Sequence, residues 1–219
     1  MKDPTQAGDM LHHIFPIPPD HVLDEIEAKA REVSAAEQRA LSRDTRRKNL
    51  IETRPPVHAP DMERLIADDL QPTRSLRAVR EWLAGPESVV LLTGTLGVGK
   101  TLAGAWMLAR CGGLYVRAER ACGVFSARFG PQVDEQDRWK RLDHLVLDEI
   151  GTERDPALMG STLLELVDER RYWGQKTILI GNLLVEDFRA RYDDPRLWSR
   201  IQQCGQVVTD KSADLRGAP

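Results

Sequence analysis

The sequence predicts an α/β fold, a parallel sheet of about five strands with helices on both faces. Three observations carry that prediction. A glycine-rich loop, Gly94-Thr-Leu-Gly-Val-Gly-Lys-Thr101, sits between an apolar run, Val89–Leu92, and a segment rich in Ala, Leu and Met, Leu102–Arg110. A second apolar run, His144–Leu147, ends in Asp148 and Glu149. A third, Thr177–Gly181, ends in Asn182, and Gln206–Thr209 reads as a last strand. Runs of this length, bounded by turn residues, suit strands buried on both faces.

The loop fits the pattern G-x-x-x-x-G-K-S/T in the strand–loop–helix context the pattern requires. Gly94, Gly97 and Gly99 allow a tight turn that points backbone N–H groups inward. Thr95, Leu96, Val98 and Leu102 complete the phosphate-binding stretch, and the helix start adds the positive end of its dipole. Lys100 is placed to reach the β- and γ-phosphates of ATP, and the Thr101 hydroxyl to ligate Mg²⁺.

The acidic pair supplies what a phosphate loop lacks. In open parallel sheets ligands bind at the carboxyl ends of the strands, where Asp148 and Glu149 emerge. Asp148 is a candidate to hold Mg²⁺ directly or through water, and Glu149 to polarise the attacking water. Roughly 50 residues separate Lys100 from Asp148, room for a further unit of about 30 residues. That unit is legible as a strand, Gly113–Arg117, and a helix, Glu119–Phe129. Asn182 could orient the attacking water or touch the γ-phosphate; equally, it could be a loop Asn suited to a tight turn.

Phosphate loop, Leu147-Asp148-Glu149, strand-terminal Asn182 and the arginine-bearing tail Asp194–Ile201 with Asp214-Leu-Arg216 together resemble the AAA+ ATPases of the DnaC/IstB-like group. The resemblance spans roughly residues 75 to 217 and is strongest to small ATP-binding proteins of phage and prophage replication regions. It implies a P-loop NTPase core of AAA+ type with strand order 5-1-4-3-2. It also implies an arginine reaching across a subunit boundary to a neighbour's γ-phosphate, with Arg200 the first candidate and Arg196, one helical turn away, the second. Arg216 falls where the family places an arginine that senses nucleotide within its own subunit. The sequence ends at Pro219, so little or no C-terminal lid is expected.

The remainder bounds the answer. A chain of 219 residues suits one core domain with a modest extension. The expected organisation is a mobile tail over 1–19, a helical extension and linker over 20–56, and the ATPase core over 57–219. The extension reads as a helix from Asp20 to about Leu50, with Ile26, Ala30, Val33 and Ala40 as a thin apolar stripe. Pro55-Pro56 then breaks it. The segments Asp61–Asp69 and Thr73–Leu83 read as short helices. No apolar run is long enough to span a bilayer, the N-terminus is no signal peptide, and three cysteines without metal-ligand spacing suit a reducing compartment, so a cytoplasmic location is expected. A net charge of −3 gives no global push toward nucleic acid. Arg43, Arg46, Arg47, Lys48 and Arg54 form one basic stretch, read first as a solvated helix end.

Three jobs follow from one core. The leading expectation is a helicase-loader-like accessory ATPase of DNA replication, hydrolysing ATP slowly under partner control. It would oligomerise when ATP-bound, grip a replicative helicase through its N-terminal extension and take single-stranded DNA as a second ligand. The alternatives are an IstB-like transposition helper on duplex DNA and a nucleotide-switched binding module with negligible turnover.

Overall fold

Among the described residues, 20–212 of this computed structural model, five strands form one parallel sheet. They are β1 (Val89–Gly94), β2 (Leu114–Arg117), β3 (His144–Ile150), β4 (Lys176–Gly181) and β5 (Gly205–Asp210). Their order is β2-β3-β4-β1-β5, the order the resemblance implied. Leu91 therefore stands between Leu179 of β4 and Val207 of β5. The expected tail over 1–19 and Arg216 lie outside the described residues.

The helices are α1 (Asp20–Thr53), α2 (Ala59–Ala67), α3 (Arg74–Ala84), α4 (Lys100–Cys111), α5 (Ala118–Phe125), α6 (Pro131–Arg141), α7 (Pro156–Tyr172), α8 (Val185–Tyr192) and α9 (Pro195–Cys204). The chain divides into two units, residues 1–42 and 43–219. In the first, Ala30, Val33 and Ala40 are exposed side chains of a helix, and that of Ile26 lies outside the described ones. In the second, the end of α1 is anchored: Leu50 is buried, and Asn49 Nδ2 donates to the carbonyl of Ala109 at 2.9 Å. The helix stops at Thr53, ahead of Pro55-Pro56, as expected.

Alternation along the strands sorts the core into two layers. Val90, Leu92, Val146, Ile178 and Ile180 face α3 and α4, packing with Leu76, Val79, Trp82 and Met107. Val89, Leu91, Leu145, Leu147 and Leu179 face the other way, onto Trp139, Leu163, Leu166, Phe188 and Ile201. Thr73 caps α3 by accepting from the Leu76 N–H at 3.0 Å. The helix expected over Glu119–Phe129 stops earlier, at Phe125, and a separate α6 follows. Gly130, at φ +88°, and Pro131 restart the chain, and α6 buries only Trp139, too little to register as a periodic apolar face.

One buried cation ties the amino ends of the strands to the helices. Arg170 is fully buried and donates to Thr177 Oγ1 at 2.7 Å and to the carbonyls of Trp139, Leu142 and Lys176 at 2.6, 2.7 and 2.8 Å. Burial pulls its pKa down to about 10, which leaves it charged at neutral pH. Arg170→Met should strip these acceptors of their donor and lower stability by about 3 kcal/mol, read as a lower urea midpoint at unchanged slope. Its affinity for ATP should be unaffected, because these contacts lie at the opposite edge of the sheet from the phosphate loop.

Candidate nucleotide site

At the carboxyl edge of the sheet, β1 ends in a loop whose backbone only glycine accepts freely. Gly94, Gly97 and Gly99 have φ of +121°, +77° and +90°. A Cβ on Gly94 would stand 1.9 Å from the Asp210 carbonyl oxygen, so the ends of β1 and β5 could not pair with any side chain there. Gly99 then caps the start of α4. Among the described residues, no backbone acceptor engages the loop amides of Leu96, Gly97 or Gly99. They adjoin the first turn of α4, where the amides of Thr101 and Leu102 have no acceptor inside their own helix. The result is a nest of donors suited to an anion.

Lys100 begins α4, 5% exposed, with Nζ donating to the carbonyls of Gly94, at 3.0 Å, and Thr95. Thr101 Oγ1 donates to Asp148 Oδ2 at 2.8 Å. The same oxygen accepts from the Tyr115 hydroxyl at 2.9 Å, and Oδ1 accepts from the Glu149 N–H at 2.6 Å. Asp148 is itself buried, so its oxygens rely on these donors for their hydrogen bonds. Burial, reinforced by the Asp148 charge, pushes the Tyr115 phenol above its ordinary range.

Glu149 takes a left-handed backbone, φ +61°, where the pairing of β3 with β4 slips between Leu147 and Ile150. The slip separates the two acids: Asp148 turns inward, and Glu149 keeps a half-exposed side chain with Oε2 3.5 Å from Arg117 Nε. Arg117 ends β2 in register with Asp148. Asn182 is exposed at the end of β4, and the adjoining Leu183 carbonyl accepts from the Gly94 N–H at 3.3 Å. The structure thus brings together the phosphate loop, Thr101, Asp148, Glu149 and the Asn182 turn.

The two candidate arginines point their contacts elsewhere. Arg196 is exposed and pairs with Asp194 at 2.8 Å, which holds the Asp194 carboxyl below its usual range. Arg200 Nε lies 2.7 Å from Asp168 of α7. In the basic stretch, Arg46 donates to the Ile66 carbonyl at 2.7 Å, and Arg47 and Lys48 each lie 3.9 Å from an acid of their own helix. An open pocket of about 460 Å³ between α8 and α9, lined by Phe188, Tyr192, Leu197 and Trp198 among others, includes no phosphate-loop residue.

Sequence reasoning missed Tyr115 and Arg117. Their signal is positional: both lie on β2, whose parallel pairing with β3 carries them beside the acids. The residues present fit Mg²⁺ bound with a nucleotide. No group of three or more His, Cys, Asp or Glu among the described residues could hold a metal alone, whereas Mg²⁺ characteristically takes one or two protein oxygens plus phosphates. Thr101 Oγ1 and Asp148 Oδ2, 2.8 Å apart, are the protein oxygens that would hold it.

The Tyr115 bond has a pH signature. A phenol whose folded pKa is raised holds its proton more tightly in the fold, so its contribution is full below the unfolded value of about 10 and is lost as pH rises above it. Tyr115→Phe should flatten the alkaline fall in stability, measured as urea midpoints on either side of that pH.

No protein-family model matches the sequence, and no curated protein matches it. Solved structures do. The DnaC helicase loader is similar at 18% identity and a TM-score of 0.51, over 71% of this chain and 93% of that one. DnaI is similar at 17% identity and 0.50, over 64% and 79%. AMPPCP-bound DnaA from Aquifex aeolicus is similar at 18% identity and 0.54, over 68% of this chain and 51% of that one. This chain thus matches about half the length of that DnaA chain. Among the described residues no helix is long and apolar enough to cross a membrane. What these likenesses share with the five-stranded sheet is architecture: the chain has the fold of AAA+ P-loop NTPases.

Proposed function

We propose that this protein binds and hydrolyses ATP and acts as a helicase-loader-like accessory protein of DNA replication. The observation that carries the reading is the Thr101–Asp148 contact of 2.8 Å, set between the donor-rich loop and Glu149. Loop amides and Lys100 receive the phosphates. Mg²⁺, held by Thr101 and Asp148, would supply charge neutralisation at the phosphate oxygens. Glu149 accepts a proton from the attacking water, and Asn182 orients that water. The likeness to an AMPPCP-bound protein supports an adenine nucleotide as ligand.

The replication role draws support from the fold shared with a helicase loader. In this reading the extension over 20–56 grips a replicative helicase, single-stranded DNA is a second ligand of the core, and ATP promotes assembly of several copies. Arg200 is the residue offered to a neighbouring copy, with Arg196 the second choice. It would have to leave Asp168 to do so, an exchange of one carboxylate for a more highly charged phosphate.

Lys100→Ala should lose ATP binding or turnover, and full turnover in that variant would remove the phosphate-loop assignment. Arg200→Ala should bind nucleotide yet not turn it over, and mixing it with Glu149→Gln should restore part of the activity. No recovery in demonstrably mixed assemblies would reject a trans role for Arg200. For the biological role, tagged Glu149→Gln with ATP and Mg²⁺ should recover a replicative helicase from host cells, and Lys100→Ala should not. Recovery of a transposase or of duplex DNA without helicase would overturn it.

A further inference from the structure

The loop behind Glu149 is held by an acid that the catalytic scheme does not use. Glu153 has a fully buried side chain. Its Oε2 accepts from the Gly151 N–H at 2.8 Å, and its Oε1 accepts from Arg191 Nε at 2.8 Å and from the Tyr192 hydroxyl at 2.9 Å. Arg191 also donates from its second nitrogen to the Glu153 carbonyl at 2.7 Å. Arg191 and Tyr192 are the last two residues of α8, the helix that follows the Asn182 turn. One carboxylate therefore binds the turn after β3 to the element after β4.

That turn is strained at the residue that matters. Glu149 has φ +61°, and a non-glycine residue stays in this region only where its surroundings over-determine it. Thr152 contributes from within the turn, its N–H and hydroxyl both donating to the Glu149 carbonyl at 3.1 and 2.8 Å. Gly151, at φ +101°, is pressed against Leu183, where an added Cβ would lie 2.7 Å from Cδ1. Glu149 itself reaches β2 through charge only at its half-exposed side chain, 3.5 Å from Arg117 Nε, whereas the buried Glu153 carboxylate ties the turn's backbone to α8 through Arg191 at 2.8 Å. Apolar packing holds a turn in place at less cost than a buried ion pair, but it does not fix the direction of a peptide N–H. We propose that Glu153, through Arg191 and Tyr192, is a positioning residue that holds Glu149 in the conformation needed for catalysis. The proposal rests on the ATPase reading above.

Glu153→Gln tests it at constant shape. All three side-chain partners of Glu153 are donors, so an amide in its place must turn its own NH₂ toward one of them. With its oxygen kept toward Arg191 and Tyr192, the NH₂ meets the Gly151 N–H, and the turn loses its anchor. Full-length protein should show kcat reduced about tenfold or more, since small misplacements of a catalytic group have effects of that order or larger. Affinity for ATP should stay within about twofold, because the phosphate contacts are untouched. Amide hydrogen exchange at Gly151 should quicken. Tyr192→Phe removes one bond while leaving the ion pair, so it should fold normally and show a smaller fall in kcat. Unchanged kcat in Glu153→Gln, with wild type active, overturns the proposal and leaves the ATPase reading standing. A loss of affinity parallel to kcat assigns Glu153 to general stability and likewise overturns it. An inactive wild type removes both readings.

Discussion

A single buried carboxylate fixes the parts of the site relative to one another. Asp148 takes donors from the start of α4, from β2 and from the next residue of β3: the Thr101 hydroxyl, the Tyr115 hydroxyl and the Glu149 N–H. Burying a carboxylate without such donors would cost several kcal/mol, roughly the whole stability margin of many domains. The apolar contacts beneath the loop bring α4 to the sheet, but they are not directional. The Asp148 bonds set how far the first turn of α4, and with it the phosphate loop, advances along the strands. The slip between β3 and β4 lets one strand send an acid into this junction and the next acid out toward solvent.

What was legible in the sequence was what is local. The phosphate loop could be read because its strand, turn glycines, lysine and helix are contiguous and each has its own physical reason. β1, β3 and β4 could be read because both of their faces are covered, which leaves runs of Val, Leu and Ile. The pairing of β2 with β3 could not be obtained from periodicity; strand order came from the resemblance. Tyr115 and Arg117 therefore stayed hidden, since each matters only through a neighbour some 30 residues away in the chain. α6 was missed for a different reason. Trp139 is its one buried residue, and a single contact is no pattern.

The two edges of the sheet meet their polar groups in opposite ways. At the amino edge the exposed acceptors are consumed internally: Arg170 serves three carbonyls, and Lys176 Nζ donates to those of Gly85 and Glu87, both at 2.7 Å. Rigid cations suit an edge that must only hold. At the carboxyl edge the groups without a backbone partner among the described residues are donors, the loop amides of Leu96, Gly97 and Gly99, and the conformations that aim them depend on glycine rather than on a counter-charge. Charge there is spent on the acids, Asp148 held by hydroxyls and an amide, Glu153 by an arginine.

Parallel topology makes that division more than local. When every strand runs the same way and a helix follows, the helix begins at the carboxyl edge, so its dipole places positive potential where the strand ends. Between β1 and α4 this falls on the glycine loop itself, with the Lys100 ammonium beside it. The net charge of −3 is no obstacle to a polyanionic ligand, because charges farther than a Debye length, about 8 Å at physiological salt, are largely screened while the loop amides and lysine act in contact. For a nucleic acid, which must meet charge over a longer path, the same net charge offers no such help. The glycine loop and the start of α4 therefore suit a compact phosphate ligand at one defined edge of the sheet.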